Sequence, residues 1–477
     1  MNTITALSPI ILLIVLITTN LIVFENTMSG PNQIALFLAS LFAVIIGYNK
    51  KINFSIYLKS IILGIKDSIK SSINAMIILL IIGALCSTWI LSGIVPAMIY
   101  YGIELINPNY FLFTICIISA VVSMATGSSW TTTATIGIAI MSIGDLLTFS
   151  PGLTAGAIIS GAYFGDKMSP LSETTNLAPS VSGSDLFNHI KYMSWTTIPS
   201  IILSLLCFYI IGLSNTNTMI ETESLNNFLN TIENTWNISN ILFIIPLFII
   251  ILIYMNVPAY ITLITGTILA IIFSIILQSN LIDAINLSQS QSTFQTIINT
   301  VLNGNNFNTD DEQLRILFNK GGVTTMLWIV FLVISAMTFG GVMYKGGFLE
   351  KITNQLMMRS SNDSNIIIST AGSCLFFNIT TCDQYLSIVI PGRMFKEKYQ
   401  EYNLSPLNLS RTIEDCGTVT SVLIPWNSCS LYHSGVLSID PLLYIPFSFF
   451  NLISPIMTVL FAYFNIKIKK NKDVKEK

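Results

Sequence analysis

Apolar stretches long enough to cross a hydrocarbon core recur along the whole chain. TALSPIILLIVLITT, MIILLIIGALCSTWIL, ILFIIPLFIIILIYM and TTMLWIVFLVISAM are four of them. A helical crossing needs about 20 residues. Runs near 7–24, 33–48, 73–95, 195–213, 240–255, 258–278, 323–343 and 441–464 therefore predict membrane helices. Two runs, 110–145 and 365–392, carry a polar cluster at their middle, ATGSSWTTTAT (125–135) and NITTCDQ (378–384). They read as re-entrant helical hairpins with polar tips. Segments 153–180 and 405–435 carry GDKMSPLSETTN (165–176) and EDCGTVTSVLIPWNSC (414–429). Their Gly and Pro residues break helices, so each reads as an interrupted transmembrane helix.

Composition agrees. Of 477 residues, 52% are hydrophobic and 10% charged, against roughly 25% charged in a soluble protein. The fold class is an all-α polytopic membrane protein. No Lys or Arg precedes Lys50, so the basic n-region of a cleavable signal is missing and the first run reads as a retained helix. The seven cysteines show no C-x-x-C spacing and read as small apolar residues. His189 and His433 are isolated and read as loop residues. No zinc-protease, hydrolase or Walker motif occurs, so neither an enzyme nor an ATP-driven pump is indicated. A net charge of −2 points away from nucleic acid.

Lys and Arg collect on the cytoplasmic side of membrane proteins. Lys50, Lys51, Lys59, Lys66 and Lys70 mark a cytoplasmic loop at 50–70, and six lysines mark the tail after residue 466. Segment 214–239 has Glu221, Glu223 and Glu233 without Lys or Arg and is expected outside. Lys345, Lys351, Arg359, Arg393, Lys396 and Lys398 flank the run 365–392 from the inside, with Arg315 and Lys320 as outside exceptions next to Asp310, Asp311 and Glu312. Each half then has an odd number of crossings, the arithmetic of two inverted-topology repeats. The division is a first repeat at 1–213, an extracytoplasmic linker at 214–239, a second repeat at 240–466 and a basic cytoplasmic tail at 467–477. A weak echo at an offset of 252 pairs Gly165 with Gly417, Ser169 with Ser421, Leu171 with Leu423 and Thr131 with Asp383.

A broken helix in hydrocarbon leaves backbone groups unpaired and survives only where protein or water surrounds it. Its half-helix ends then attract ions. Asp166, Glu173, Asp383, Glu414 and Asp415 all fall in the four clusters, among hydroxyls and amides of Ser169, Thr174, Asn176, Thr380 and Asn427. A carboxylate costs about 2.5–3.5 kcal/mol at the bilayer centre. Oxygen-rich surroundings suit a hard cation such as Na+. Plainer readings exist for single residues. Gly161-x-x-x-Gly165 is a helix-packing device. Asp166–Lys167 reads as a charge pair near headgroups, Glu414–Asp415 as a pair at the cytoplasmic mouth, and Trp130 and Trp426 as packing residues. Packing does not account for all four clusters falling on two hairpins and two breaks.

The stretch GDKMSPLSETTNLAPSVSGSDLFNHIKYM resembles the signature of the NhaC-type Na+/H+ antiporter family. GSSWTTTATIG, DQYLSIVIPGRMF, LSRTIEDCGTVTSVLIPWNSC and LYIPFSFFNLISPI are similar to its other recurring blocks, from about residue 80 to 464. The resemblance implies the ion-transporter superfamily fold, with inverted repeats, paired hairpins and two interrupted helices. It implies transport of Na+ and H+ with no cofactor, a multi-pass protein of the bacterial cytoplasmic membrane, and a homodimer; the charge topology puts both termini inside. Carried over residue by residue, it places Asp166, Ser169 and Ser172 in the first broken helix, and Ser128, Ser129 and Thr131 at one hairpin tip. Asp383 and Gln384 fall at the other tip, and Glu414 and Asp415 just before the second break. Asn378 and Thr418 complete the candidate set. Cys382 and Cys416 stand where many relatives have small residues.

A carboxylate that binds either H+ or Na+ makes the two compete at one site. Exchange near neutral pH needs a group that titrates there, which desolvation favours. Asp166 is the leading candidate and Asp383 the second, with Na+ assigned to both; Glu173 and Glu414 stand in reserve. The alternative is a Na+/H+-coupled exchanger or symporter of a small carboxylate or amino acid, of the malate/lactate type. In it, half-helix N-termini, Lys167 and Arg411 would serve the substrate carboxylate. A channel lacks the expected short, repeated subunit, and a membrane enzyme lacks a nucleophile–base or metal constellation.

Overall fold

The computed structural model describes residues 3–24, 29–48, 53–105, 107–214, 222–255, 257–307, 318–319, 321–348 and 362–471. Lys50, Lys51, Glu221, Asp310, Asp311, Glu312, Arg315, Lys320, Lys351, Arg359 and the last six residues, which entered the charge topology, lie outside them. Among the described residues every regular element is helical.

The first half runs α1 (Thr3–Val23), α2 (Pro31–Gly47), α3 (Phe54–Ser71), α4 (Ile73–Leu91), α5 (Ile94–Leu105), α6 (Phe111–Thr126), α7 (Ser129–Thr132), α8 (Ile138–Leu146), α9 (Pro151–Met168), α10 (Glu173–Ser182) and α11 (Leu186–Ser214). Helix α12 (Thr222–Thr235) follows, within the segment expected as a linker. The second half holds α13 (Ile244–Tyr254), α14 (Ala259–Leu277), α15 (Ser279–Gln289), α16 (Thr293–Asn303), α17 (Val323–Lys345), α18 (Asp363–Thr381), α19 (Gln384–Glu401), α20 (Pro406–Ile413), α21 (Ser428–Leu437), α22 (Pro441–Tyr444) and α23 (Phe449–Tyr463). Among the described residues four helices are each long and apolar enough to cross a membrane: Pro108–Thr126, Leu186–Ser214, Tyr260–Leu277 and Val323–Lys345. Three bent pairs also qualify, with bends of 67°, 86° and 56°. The chain is a polytopic helical membrane protein.

One expectation fails. Residues 54–71, read as part of a basic loop, are a helix. Tyr57, Ile61, Gly64 and Ser68 form its buried stripe, while Lys59, Lys66 and Lys70 lie on the exposed side. Gly64 packs against Gly341, and Gly83 of α4 against Gly322. The two contacts are 19 residues apart on both segments, or about 28 Å of helix. So α3 and α4 together run antiparallel to α17 over roughly the depth of a bilayer. Close approach is possible because these positions lack a Cβ. The same device joins α6 to α9, where a Cβ on Gly161 or Gly165 would strike the Cys116 or Ala120 carbonyl.

The hairpin and break segments follow one backbone pattern twice, 255 residues apart. Asn107 and Asn362 open the two hairpins as N-caps. Gly127 (φ 68°) and Cys382 (φ 59°) end the first arms in the left-handed region. Ser128 and Asp383 cap the return arms. Thr148 and Asn403 have positive φ. Ser150–Pro151 and Ser405–Pro406 begin the interrupted helices. Ser172 and Asn427 restart them after the break, and Gly183 and Ser438 end them. The echo at 252 is thus three residues out of register: Ser128, not Thr131, is the counterpart of Asp383. Residue identities gave the wrong offset because small residues abound in such helices; caps fix it because each marks a helix end.

The halves also grip one another reciprocally. Trp130 of the first return arm stacks on Tyr432 of α21, ring centroids 4.0 Å apart. Its counterpart Tyr385 donates to Glu173 of α10 at 2.6 Å. A Cβ on Gly137 would lie 2.7 Å from Leu437, and one on its counterpart Gly392 2.5 Å from Val181.

Candidate functional site

Each hairpin tip docks on the break of its own half. In the first, α9 ends at Met168, Ser169–Ser172 are non-helical, and α10 restarts under the Ser172 cap. Asp166, in the last turn of α9, accepts from the Ser129 amide (3.0 Å) and hydroxyl (2.7 Å) on Oδ2 and is 7% exposed. Ser128 caps the return arm by accepting from the Thr131 amide at 3.2 Å. Ser169 accepts from Leu171 N, and Ser172 from Thr175 N while meeting the Thr174 hydroxyl at 3.1 Å. Asn176 ties the break together, donating to the Pro170 and Ser172 carbonyls from an exposed position. Glu173 is exposed and holds Tyr385.

In the second half, α20 passes at Ile413 into a π-turn over Glu414–Thr418, and regular helix resumes only after the Asn427 cap. A second π-turn lies in the first return arm at Thr133–Gly137, away from the counterpart of the first. Such turns are rare and re-aim side chains. Asn378 in the hairpin donates to the Gly417 carbonyl (2.7 Å) and Thr420 hydroxyl (2.9 Å), and its Oδ1 accepts from Asn427 (3.1 Å). The Ser428 amide donates to the Cys382 carbonyl. Asp383 is buried and accepts the Leu386 amide at 2.8 Å. Gln384 accepts from the Cys429 thiol. Thr380 turns back onto the Phe376 carbonyl of its own helix. Trp426 donates to the Ile379 carbonyl, a packing role.

The breaks meet through charge. Lys167 pairs with Asp415, both fully buried, and donates to Ser454 at 3.1 Å. The second Asp415 oxygen accepts from Thr196 (2.8 Å) and Thr458. This overturns two plain readings. Lys167 is not Asp166's partner near headgroups, and Glu414–Asp415 is not a solvated pair at a mouth, since both are completely buried. The polar residues that close this pair, Thr196, Ser454 and Thr458, were missed. Their signal was a hydroxyl face within an apolar helix, Ser454-x-x-x-Thr458.

Glu414 is different. Neither carboxylate oxygen has a partner in hydrogen-bonding geometry among the described residues. The Thr174 and Thr418 hydroxyls stand beside it, and Lys167 and Asp166 are within electrostatic range. The Thr418 hydroxyl is itself buried and unpartnered. Among the described residues no three acidic, His or Cys side chains cluster as for a tightly bound metal. The site is a carboxylate-and-hydroxyl lining between two helix breaks. Both histidines are buried in helices rather than in loops: His189 meets Ser410 at 2.9 Å, and His433 meets Thr133 at 3.1 Å.

The profile of the Na+/H+ antiporter family matches residues 161–466. The chain belongs to that family. It is 36% identical to the Na+/H+ antiporter NhaC of Alkalihalophilus pseudofirmus, over 86% of each chain. It is 32% identical to the malate-2H+/Na+-lactate antiporter of Bacillus subtilis, over 91% of this chain and 89% of that one. It is 34% identical to the arginine/ornithine antiporter ArcD of Halobacterium salinarum, over 84% and 80%. The matched family segment contains the first break, the second hairpin and the second break.

Proposed function

We propose that this chain exchanges Na+ for H+ across a bacterial cytoplasmic membrane by alternating access. The observation that carries the proposal is Asp166. It is a carboxylate buried at a helix break, held by a hairpin tip, with the unpaired Glu414 of the other half within electrostatic range. A desolvated carboxylate is held either by a proton or by a cation, so one site admits only one cargo at a time. Asp166 and Glu414, with the hydroxyls of Ser129, Ser172, Thr174 and Thr418, supply hard oxygen donors for Na+. Asp383 uses Oδ1 to cap its hairpin, so we assign the exchange to Asp166 first. The Lys167–Asp415 pair holds the two breaks together.

The 255-residue repeat and the reciprocal contacts support a pseudo-twofold relation between 107–183 and 362–438. We infer that its axis lies in the membrane plane, giving inverted repeats with re-entrant hairpins and both termini cytoplasmic. The substitution Asp166→Asn removes the exchangeable charge with little change of shape. In everted vesicles it is expected to abolish Na+-driven proton movement while expression is kept. Wild-type exchange in that variant would take Asp166 out of the mechanism.

The malate/lactate and arginine/ornithine relatives support a second reading, in which a small organic ion shares the carrier. Proteoliposomes assayed with Na+ alone, then with malate, lactate, arginine or ornithine, separate the two. Na+/H+ exchange that needs no organic ion supports the first.

A further inference from the structure

Arg411 is fully buried, and Nε, Nη1 and Nη2 all lack a hydrogen-bond partner. Its guanidinium lies 4.6 Å from the Tyr192 ring centroid and 5.9 Å from that of Phe461. An arginine cannot shed its proton in a protein, and a buried charge is retained where an opposite charge is within reach. No carboxylate pairs with it among the described residues. Three residues along the same segment, Glu414 is equally buried and has neither oxygen in hydrogen-bonding geometry. Residues three apart on a regular helix are neighbours. Glu414 keeps α-helical φ/ψ and its N–H donates to the Ser410 carbonyl, yet the two are not paired: its carboxylate lies beside Thr174 and Thr418, within electrostatic range of Lys167 and Asp166.

We propose that Arg411 is the alternate partner of Glu414. With cargo bound, Glu414 faces Asp166. With the cargo gone, the Glu414 side chain changes rotamer and its carboxylate pairs with Arg411, one turn back on backbone already in α-helical register. The empty carrier then reorients without an uncompensated buried anion, and Arg411 competes with Na+ for Glu414. Arg411 is thus a positioning residue acting through Glu414. This rests on the Na+/H+ reading above.

The test compares wild type, Arg411→Gln, Arg411→Lys, Glu414→Gln and the Arg411→Gln/Glu414→Gln double variant in proteoliposomes. Na+ KM and kcat are measured, with thermal unfolding in detergent as the control for folding. Loss of the competitor is expected to lower KM for Na+ by about fivefold or more and to lower kcat with it, as cargo release slows. Arg411→Lys restores part of both, and keeps the test open should Arg411→Gln not fold. On the Glu414→Gln background, Arg411→Gln has no further effect on KM. A folded Arg411→Gln with unchanged or raised KM overturns the proposal. So does an undiminished effect of Arg411→Gln on the Glu414→Gln background, or an Arg411→Lys with wild-type KM and kcat alongside an unfolded Arg411→Gln. Absence of Na+-dependent proton flux in wild type would instead overturn the transport reading itself.

Discussion

Lys167 and Asp415 are adjacent in space and 248 residues apart in sequence. Each is completely buried; Lys167 holds Asp415 and Ser454, and Asp415 also accepts from Thr196 and Thr458. Removing one partner leaves a charge that the interior cannot solvate. Lys167→Ala or Asp415→Ala is expected to cost about 3–5 kcal/mol. The double variant Lys167→Met/Asp415→Leu is expected to be more stable than either, because both charges leave together. Thermal unfolding of the detergent-purified set checks this, and additive losses would mean that the two charges are not coupled. Asp166 is the opposite case, with Oδ2 held by the Ser129 hydroxyl and amide and with no ion pair among the described residues, which is why the exchange is assigned there. The five carboxylates of the polar clusters could be picked out in the sequence because charge is rare in apolar runs. Their division into a satisfied ion pair, a helix cap and unpaired carboxylate chemistry could not, since it depends on partners from remote helices.

The two hairpin tips turn through the same left-handed backbone position with different residues. Gly127 takes φ 68° without strain, whereas Cys382 takes φ 59° with a Cβ. A non-glycine residue in that region costs roughly 1–2 kcal/mol. Cys382→Gly is therefore expected to raise the unfolding temperature, offset in part by the greater freedom of glycine in the unfolded chain. An unchanged or lowered temperature would show that the thiol's packing outweighs the backbone strain. The hairpins and breaks were legible as elements, because a polar stretch in the middle of an apolar run is costly in hydrocarbon unless the helix turns back or opens there. Helix α3 was not legible. Its lysines recur on one side while Tyr57, Ile61 and Gly64 form a buried stripe on the other, and counting charge alone turned an amphipathic helix into a loop.

Across the whole molecule, inversion makes a prediction about sidedness. Asn188 and Leu443 are exposed and occupy counterpart positions 255 residues apart, just after the two interrupted helices. Inverted repeats put them on opposite faces of the membrane. An impermeant maleimide is expected to label Asn188→Cys in everted vesicles only and Leu443→Cys in intact cells only. Six of the seven native cysteines are buried and leave a low background. Labelling of both from the same side would refute the inversion while leaving the 255-residue repeat intact.

The sequence by itself determined the helical membrane class and marked the polar stretches where helices turn or stop, with the carboxylates they carry. Each of these follows from the high cost of polar groups in hydrocarbon, which makes every such interruption conspicuous along a single chain. Only the tertiary structure decided the repeat register, the antiparallel run of α3–α4 with α17, and the partners of the buried charges. Lys167 meets Asp415, while Arg411 and Glu414 stay apart. Those outcomes depend on which helix faces approach one another, and charge complementarity between residues some 250 positions apart leaves no local pattern to read.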